Sequence, residues 1–371
     1  MLYINNLIRM SPNMAQTERQ KLMKSFRDNI RKVVPYVPGE QPKRKVIKLN
    51  TNENPYPPSQ KVSEAMKKFN LDTLRLYPDP DCTSLRKEIA DYYGFDTENI
   101  FVGVGSDDVL ATAFLTFFNS ELPVLFPDIT YSFYSVWADV YGIKYERVPV
   151  DENFKIQAKD YYKENGGVIF ANPNAPTAIC ESLDFIEDIL KHNQDVVVIV
   201  DEAYVDFGGT SALELVNKYE NLLVVQTFSK SRSMAGMRIG YAIGNRELIQ
   251  AMNDVKFSIN SYTMNRPSLE YGVATIKDDA YFKEMTAKII NTRERAEESL
   301  AELGFTFTDS KTNFIFATHR EKKAKEIFEE LKKRDIFVRY FNLPRIDNYL
   351  RITVGTDEEM EKLMDALREI V

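Results

Sequence analysis

The segment LLVVQTFSKSRSMAGMRIGY, Leu222 to Tyr241, joins an apolar run to a lysine bracketed by serines, a stretch of small residues and an arginine eight positions after that lysine. A lysine at the end of a buried strand is costly unless its charge is removed or paired, and an imine bond to an aldehyde removes it. Other runs share this build: IFVGV at 100–104, PVLFP at 123–127, GVIFAN at 167–172, VVVIVD at 196–201 and GYAIG at 240–244, with the more polar KYERVPV at 144–150. Several are continuously apolar rather than alternating, as expected of strands covered on both faces. Between them, VLATAFLTFF, ESLDFIEDILKHN and SALELVNKY read as helices. This alternation predicts an α/β fold with a doubly wound, mostly parallel sheet of seven strands.

The character changes after residue 265. SLEYGVATIKDDAYFKEMTAKIINTRERAEESLAELG reads as long, charge-laced helix with Gly304 as its stop. FTFTD, TNFIFAT, IFVRYF and YLRITVG then alternate with REKKAKEIFEELKKRD and a last helix from Asp357, predicting a smaller α+β unit. We divide the chain into an N-terminal extension (1–23), an arm (24–56) that packs on the small unit or a dimer partner, a large unit (57–265) and a small unit (266–371). The extension contains Met10 and Met14 and ends at Met23. We expect translation to start later than Met1, at Met23, and the preceding stretch to be poorly ordered.

With 371 residues the chain is too long for one ordinary core. Its net charge of −7 argues against a broad nucleic-acid face, and no apolar run approaches the roughly 18 residues of a membrane span. Cys82 and Cys180 are the only cysteines, without paired spacings, which fits a reducing cytoplasm. The only histidines are His192, placed at a helix end, and His319, placed at the start of a charged helix; both read as solvated or capping. Neither a zinc site nor a Ser-His-Asp triad follows from this inventory. Chemistry must fall to lysine, tyrosine or a cofactor.

In open parallel sheets ligands sit beyond the C-terminal strand ends, and four such ends carry candidates. Gly105-Ser106-Asp107-Asp108 opens a helix after IFVGV; the turn suits a phosphate, or is an ordinary βα turn with an Asp cap. Asn174 stands in a loop stiffened by Pro173 and Pro176 and is either a ligand donor or a turn residue. Asp201 ends VVVIVD, with Tyr204 three residues on; it caps the next turn or faces a protonated heterocyclic nitrogen. Ser229-Lys230, followed by Arg238, ends LLVVQTF; its alternative is a surface lysine.

In order along the chain, KLNTNENPYPP (48–58), RLYPDPD (75–81), GVGSDD (103–108), TYSFYSV (130–136), NPNAPT (172–177), VDEAYVDF (200–207), TFSKSRSMAGMRIGY (227–241) and YLRITVGTDEEM (349–360) make a set. The set resembles the fold-type I, pyridoxal 5′-phosphate-dependent aminotransferases of class I and II over residues 24–371, and within them the histidinol-phosphate aminotransferases. The resemblance implies that Lys230 carries the cofactor covalently and then moves the proton at the substrate Cα. It implies that Asp201 pairs with the protonated ring nitrogen. Tyr204 and Asn174 would bond the 3′ oxygen, and Tyr131 would stack on the ring, unless it is a core aromatic among Phe133, Tyr134 and Trp137. Ser106, Asp107, Ser229 and Arg238 would hold the phosphate, with Tyr77 reaching it from the neighbouring subunit of a homodimer.

On the substrate side the resemblance implies Asn54, Tyr56, Arg339 and Arg351. An arginine fork there accepts either the glutamate carboxylate or the histidinol phosphate anion. Asn54 is otherwise a turn residue before Pro55; Arg345 is either a third anion contact or a loop charge. The implied activity is amino transfer between histidinol phosphate and 2-oxoglutarate in a cytoplasmic enzyme of histidine biosynthesis, with no metal, nucleic acid or membrane. Aromatic amino acid transamination and threonine-phosphate decarboxylation remain alternatives on the same scaffold. Ala175 and Ala178 depart from the NNPTG pattern of many relatives, so the loop path is expected to shift slightly while Asn174 keeps its contact. A regulatory protein with a fused DNA-binding domain is disfavoured by the short N-terminal stretch, and a dinucleotide oxidoreductase by the missing third glycine in GVGSDD.

Overall fold

The computed structural model describes residues 26–371, so the expectations for residues 1–23 lie outside it. Residues up to Tyr36 form a unit apart from Val37–Val371. In the former, the Asn29 N–H donates to the Phe26 carbonyl at 3.2 Å in a short turn.

The longer unit contains two sheets. The larger is built from β2 (Ile100–Gly103), β3 (Val124–Pro127), β4 (Tyr145–Val148), β5 (Gly167–Ala171), β6 (Val198–Asp201), β7 (Leu222–Thr227) and β8 (Gly240–Gly244). Its order is β2-β8-β7-β6-β5-β3-β4. Only β8 runs against its neighbours, pairing antiparallel with both β2 and β7. The continuous apolar runs are buried throughout, while edge strand β4 is partly exposed. Successive side chains supply opposite faces, as the strand period requires: Val198, Val200, Leu222 and Val224 pack in one cluster, Ile199, Leu223 and Val225 in another.

The second sheet has five strands, in the order Ile47–Leu49, Ile336–Tyr340, Leu350–Thr353, Phe314–His319 and Phe305–Phe307. It combines β1 (Ile47–Leu49) with β9 (Phe305–Phe307), β10 (Phe314–His319), β11 (Ile336–Tyr340) and β12 (Leu350–Thr353). The arm segment Ile47–Leu49 is therefore an edge strand, parallel to Ile336–Val338.

Three local expectations need correction. The long helical stretch is two helices, Arg266–Ile276 and Asp279–Glu302, broken at Lys277-Asp278 where charge replaces the apolar period. Residues 211–219 form only a short 3₁₀ turn, Ala212–Leu215; Ser211 accepts from the Leu213 N–H and tightens the chain. His319 ends a strand rather than starting a helix: its Nδ1 accepts from the N–H groups of Glu321 and Lys322, and Nε2 lies 3.0 Å from the Leu303 carbonyl. Gly304 does stop the preceding helix, at φ +85°.

Candidate active site

The strand-end residues of the larger sheet, among them Asp201 and Lys230, lie at one edge of it. β2, β5, β6 and β7 all end there, and β8 begins there, because Gly240 pairs with both Gly103 and Thr227. The reversed strand is what brings Arg238, two residues before Gly240, beside loops that follow the other strands.

Lys230 follows β7. Asn54 Nδ2 donates to the carbonyls of Lys230 (2.9 Å) and Ser231 (3.2 Å), and its Oδ1 accepts from the Tyr56 N–H at 3.0 Å. Asn54 thus performs turn chemistry and clamps the lysine backbone at the same time. Lys230 Nζ donates to the Thr51 carbonyl at 3.4 Å and lies 5.7 Å from the Tyr204 ring centre. Tyr204 accepts at its hydroxyl from Asn52 Nδ2 at 2.9 Å. Asn52 is buried at φ +55°, which asparagine tolerates better than most residues, and its Oδ1 accepts from Thr353 Oγ1 at 3.0 Å. Sequence reasoning missed Asn52. It stands in the quoted NTNEN run, but nothing local separates it from Asn50 and Asn54.

Asp201 is the last residue of β6 and shares its face with Ile199, toward the helix Phe133–Tyr141. It is buried, and its Oδ2 accepts from the Tyr134 hydroxyl at 2.8 Å while Oδ1 accepts from the Ala203 N–H at 3.3 Å. Burial pushes the carboxyl up to about 6, against these hydrogen bonds and the nearby Lys230, which favour the ionised form. Such an acid is suited to a cationic partner. The Tyr134 contact was also missed; of the aromatics at 131, 133, 134 and 137, only the packed helix singles it out. Tyr131 instead stands perpendicular to Tyr134 (87°, centroids 5.7 Å apart) and donates its hydroxyl to Asp107 Oδ1 at 2.8 Å.

Gly105 caps the helix Ser106–Phe117 at φ +84° and has no side chain to engage the first-turn N–H groups. A Cβ on Gly105 would lie 2.5 Å from Arg238 Nη2, and one on Gly240 would strike the Gly105 carbonyl carbon at 2.3 Å. Both positions need glycine. Arg238 Nη2 bonds Asp107 Oδ2 at 3.0 Å, and Nη1 donates weakly to Ser229 Oγ at 3.4 Å. Ser106, Asp107, Ser229 and Arg238 therefore form one cradle with a cation at its wall.

Asn174 is buried; its Nδ2 donates to the Ile129 carbonyl and Thr177 Oγ1, each at 2.9 Å, and its Oδ1 accepts from Thr130 at 2.7 Å. Ala178 adopts φ +65°, a left-handed conformation that glycine accepts more readily. Arg339 and Arg351 are paired neighbours on β11 and β12. Arg351 Nη2 donates to the Asn50 carbonyl at 3.1 Å, and its guanidinium lies over the rings of Phe314 and Phe341. Arg345 donates to Asp128 Oδ2 (3.1 Å) and to the carbonyls of Val150 (2.9 Å) and Asp151 (2.6 Å), the bonds of a loop tie. The Tyr56 hydroxyl is buried without a hydrogen bond, with Lys288 Nζ 4.4 Å from its ring centre. Tyr77 is 76% exposed and stacks on Tyr262 at 4.6 Å.

A sheet ending in a lysine, a buried acid and an arginine-walled cradle defines a class, and the family model described as aminotransferase class I and II matches residues 44–367. The chain belongs to that family. It is 51% identical over 351 residues to the histidinol-phosphate aminotransferase of Clostridium beijerinckii, covering 94% of this chain and 98% of the relative. The enzyme of that name from Clostridium acetobutylicum is 52% identical, covering 94% and 100%. In fold, the chain resembles the histidinol-phosphate aminotransferase from Sinorhizobium meliloti solved in complex with pyridoxal-5′-phosphate (TM-score 0.81, 24% identity, 98% of each chain). It also resembles the L-threonine-O-3-phosphate decarboxylase from Porphyromonas gingivalis (TM-score 0.74, 20% identity, 87% and 99%).

Proposed function

We propose that the protein is a pyridoxal phosphate-dependent aminotransferase moving the amino group between L-histidinol phosphate and 2-oxoglutarate, with imidazole acetol phosphate and L-glutamate as the other pair. The observation that carries the cofactor reading is the convergence of Lys230, Asp201 and Arg238 at one sheet edge. The residues fit the group: the bare glycine at 105 lets the Arg238 guanidinium lie against the turn that opens the helix, where a Cβ would collide with it, and Asp201 is a buried acid suited to a cation. The substrate reading is supported by the half-identical relatives across nearly the whole chain; the decarboxylase shares only the fold.

When bound, the cofactor supplies an aldehyde for an amine and a ring that accepts electrons. Asp201, oriented by Tyr134 and the Ala203 N–H, holds positive charge at the ring nitrogen. Lys230 would hold the cofactor through its amine and would move the proton at the substrate Cα. Tyr204 would orient the ring oxygen and Tyr131 would flank the ring, whereas Asn174, whose Nδ2 is taken by Ile129 and Thr177, would reach that oxygen only by giving up one of those bonds. Arg238, Ser229 and the N–H groups of Ser106 and Asp107 bind the phosphate. Arg351 and Arg339 bind the substrate anions, with Asn54 and Tyr56 beside them. Tyr77 completes the phosphate site of the partner in a homodimer, a reading supported by its exposure and its backing by Tyr262. The division into units 24–56, 57–265 and 266–371 is part of the same reading. We place the enzyme in the cytoplasm on its two free cysteines; among the described residues no helix is long and apolar enough to cross a membrane.

Borohydride reduction of the holoenzyme should fix the cofactor to the peptide containing Lys230; label elsewhere overturns the cofactor reading. Half-reaction spectra should be faster with histidinol phosphate than with phenylalanine or threonine phosphate, and the reverse order overturns the substrate reading.

A further inference from the structure

Arg293 lies in the middle of the helix Asp279–Glu302, is 3% exposed and belongs to none of the anion sites above. A buried guanidinium is retained only where its donors are used. Here Nη1 donates to two backbone carbonyls, Phe207 at 2.9 Å and Thr312 at 2.8 Å, while Nε makes no hydrogen bond. The two carbonyls sit on two paths to the same residue. Phe207 ends the 3₁₀ turn that Tyr204 opens. Thr312 precedes Asn313, whose Nδ2 donates to the Asn52 carbonyl at 3.0 Å, and Asn52 Nδ2 in turn donates to the Tyr204 hydroxyl. Thr312 also leads into β10, which pairs Phe316 with Arg351. The apolar packing follows the same route: Tyr204, Phe207, Ile289 and Phe314 share one cluster.

We infer that Arg293 is a positioning residue that holds the Tyr204 hydroxyl in place toward the cofactor, by fixing both the turn that carries Tyr204 and the strand entry that carries its hydrogen-bond donor. The inference rests on the proposed role of Tyr204 beside the Lys230-linked cofactor. The charged groups facing Arg293 are Glu297, Glu294 and Asp309. Glu297 is one turn along, with a buried Oε1 that makes no hydrogen bond and a carboxyl pushed up to about 7 by burial.

The test is the pH titration of the visible absorption band of the holoenzyme. Arg293→Met should shift the apparent pKa of that band by about half a unit or more, with cofactor affinity within about twofold of wild type, because the phosphate cradle and Asp201 are untouched. Arg293→Lys, which keeps charge and a donor, should shift it the same way by less, and serves alone if the methionine variant does not fold. In a Tyr204→Phe background, Arg293 substitution should shift the band no further, since the group it positions is gone. Glu297→Gln should leave the band in place. The inference is overturned by an unshifted band in both arginine variants, by a full shift persisting without the Tyr204 hydroxyl, or by an equal shift from Glu297→Gln, which would make the effect one of charge. A wild-type band that never titrates, or borohydride label absent from Lys230, would instead refute the cofactor reading itself.

Discussion

Tyr134→Phe removes one oxygen and leaves the ring in its packing against Phe114, Phe126 and Trp137. The lost group is the 2.8 Å donor to Asp201 Oδ2. A hydrogen bond to a charged group contributes about 1.5–3 kcal/mol. At about 1.4 kcal/mol per pH unit, losing it should move the Asp201 carboxyl from about 6 upward by about one to two units. Cofactor binding needs the carboxylate, so the apoprotein must release this proton first. At neutral pH the wild-type carboxyl is mostly ionised and the variant's is half or more protonated. Affinity for pyridoxal phosphate should therefore fall about two- to tenfold at neutral pH, more in mild acid, and not at all in alkali, where both carboxyls are ionised.

The stability of the apoprotein carries the same signature. A carboxyl raised above its unfolded value makes the folded state bind more protons, so stability is lost as pH rises from the unfolded value toward the folded one. Tyr134→Phe extends that loss to higher pH, whereas Glu202, whose carboxyl burial pushes up to about 7, contributes a parallel loss in both proteins. Titrating apoprotein with cofactor across pH, by the absorbance of the complex, measures the affinity directly. A variant whose affinity profile coincides with wild type would show that Asp201 is not the proton-linked group facing the ring.

Further expectations concern the cradle, the anion site and two loops. Arg238→Asn, chosen because Arg238 sits at φ +53°, should weaken cofactor binding by about ten- to a hundredfold through loss of a charge-assisted contact, read by equilibrium dialysis. Arg351→Lys should slow both half-reactions, since a point charge cannot replace two parallel N–H donors; stopped-flow loss in only one would mean separate anchors for the two anions. Arg345→Ala should leave turnover unchanged while lowering the unfolding midpoint, because its bonds serve the loops at Asp128 and Val150-Asp151. Ala178→Gly should stabilise the protein by about 0.5–1 kcal/mol, relieving a left-handed backbone conformation that alanine disfavours, as measured by denaturant unfolding.

Much of the site was legible because its signals are local. A continuous apolar run marks a strand covered on both faces, and a charged residue at its end marks a strand terminus. Asp201 and Lys230 announce themselves this way, as does the glycine turn at Gly105. Helix boundaries were less legible: the break at Lys277-Asp278 lies within a long helical pattern, and Ser211 shortens what the apolar spacing suggested.

What the sequence by itself determined is the seven-strand α/β architecture and the residues at its strand ends, since burial on two faces imposes a composition that can be read one segment at a time. Only the tertiary structure decided which groups meet. Tyr134 rather than its three aromatic neighbours reaches Asp201, Asn52 rather than Asn50 or Asn54 reaches Tyr204, and Arg345 turns to the loops. The physical reason is that hydrogen bonds between residues far apart in the chain depend on strand direction and helix packing. The reversal of β8, which carries Arg238 to the edge where β2 and β7 end, is set by pairing with those strands and leaves no mark in its own five residues.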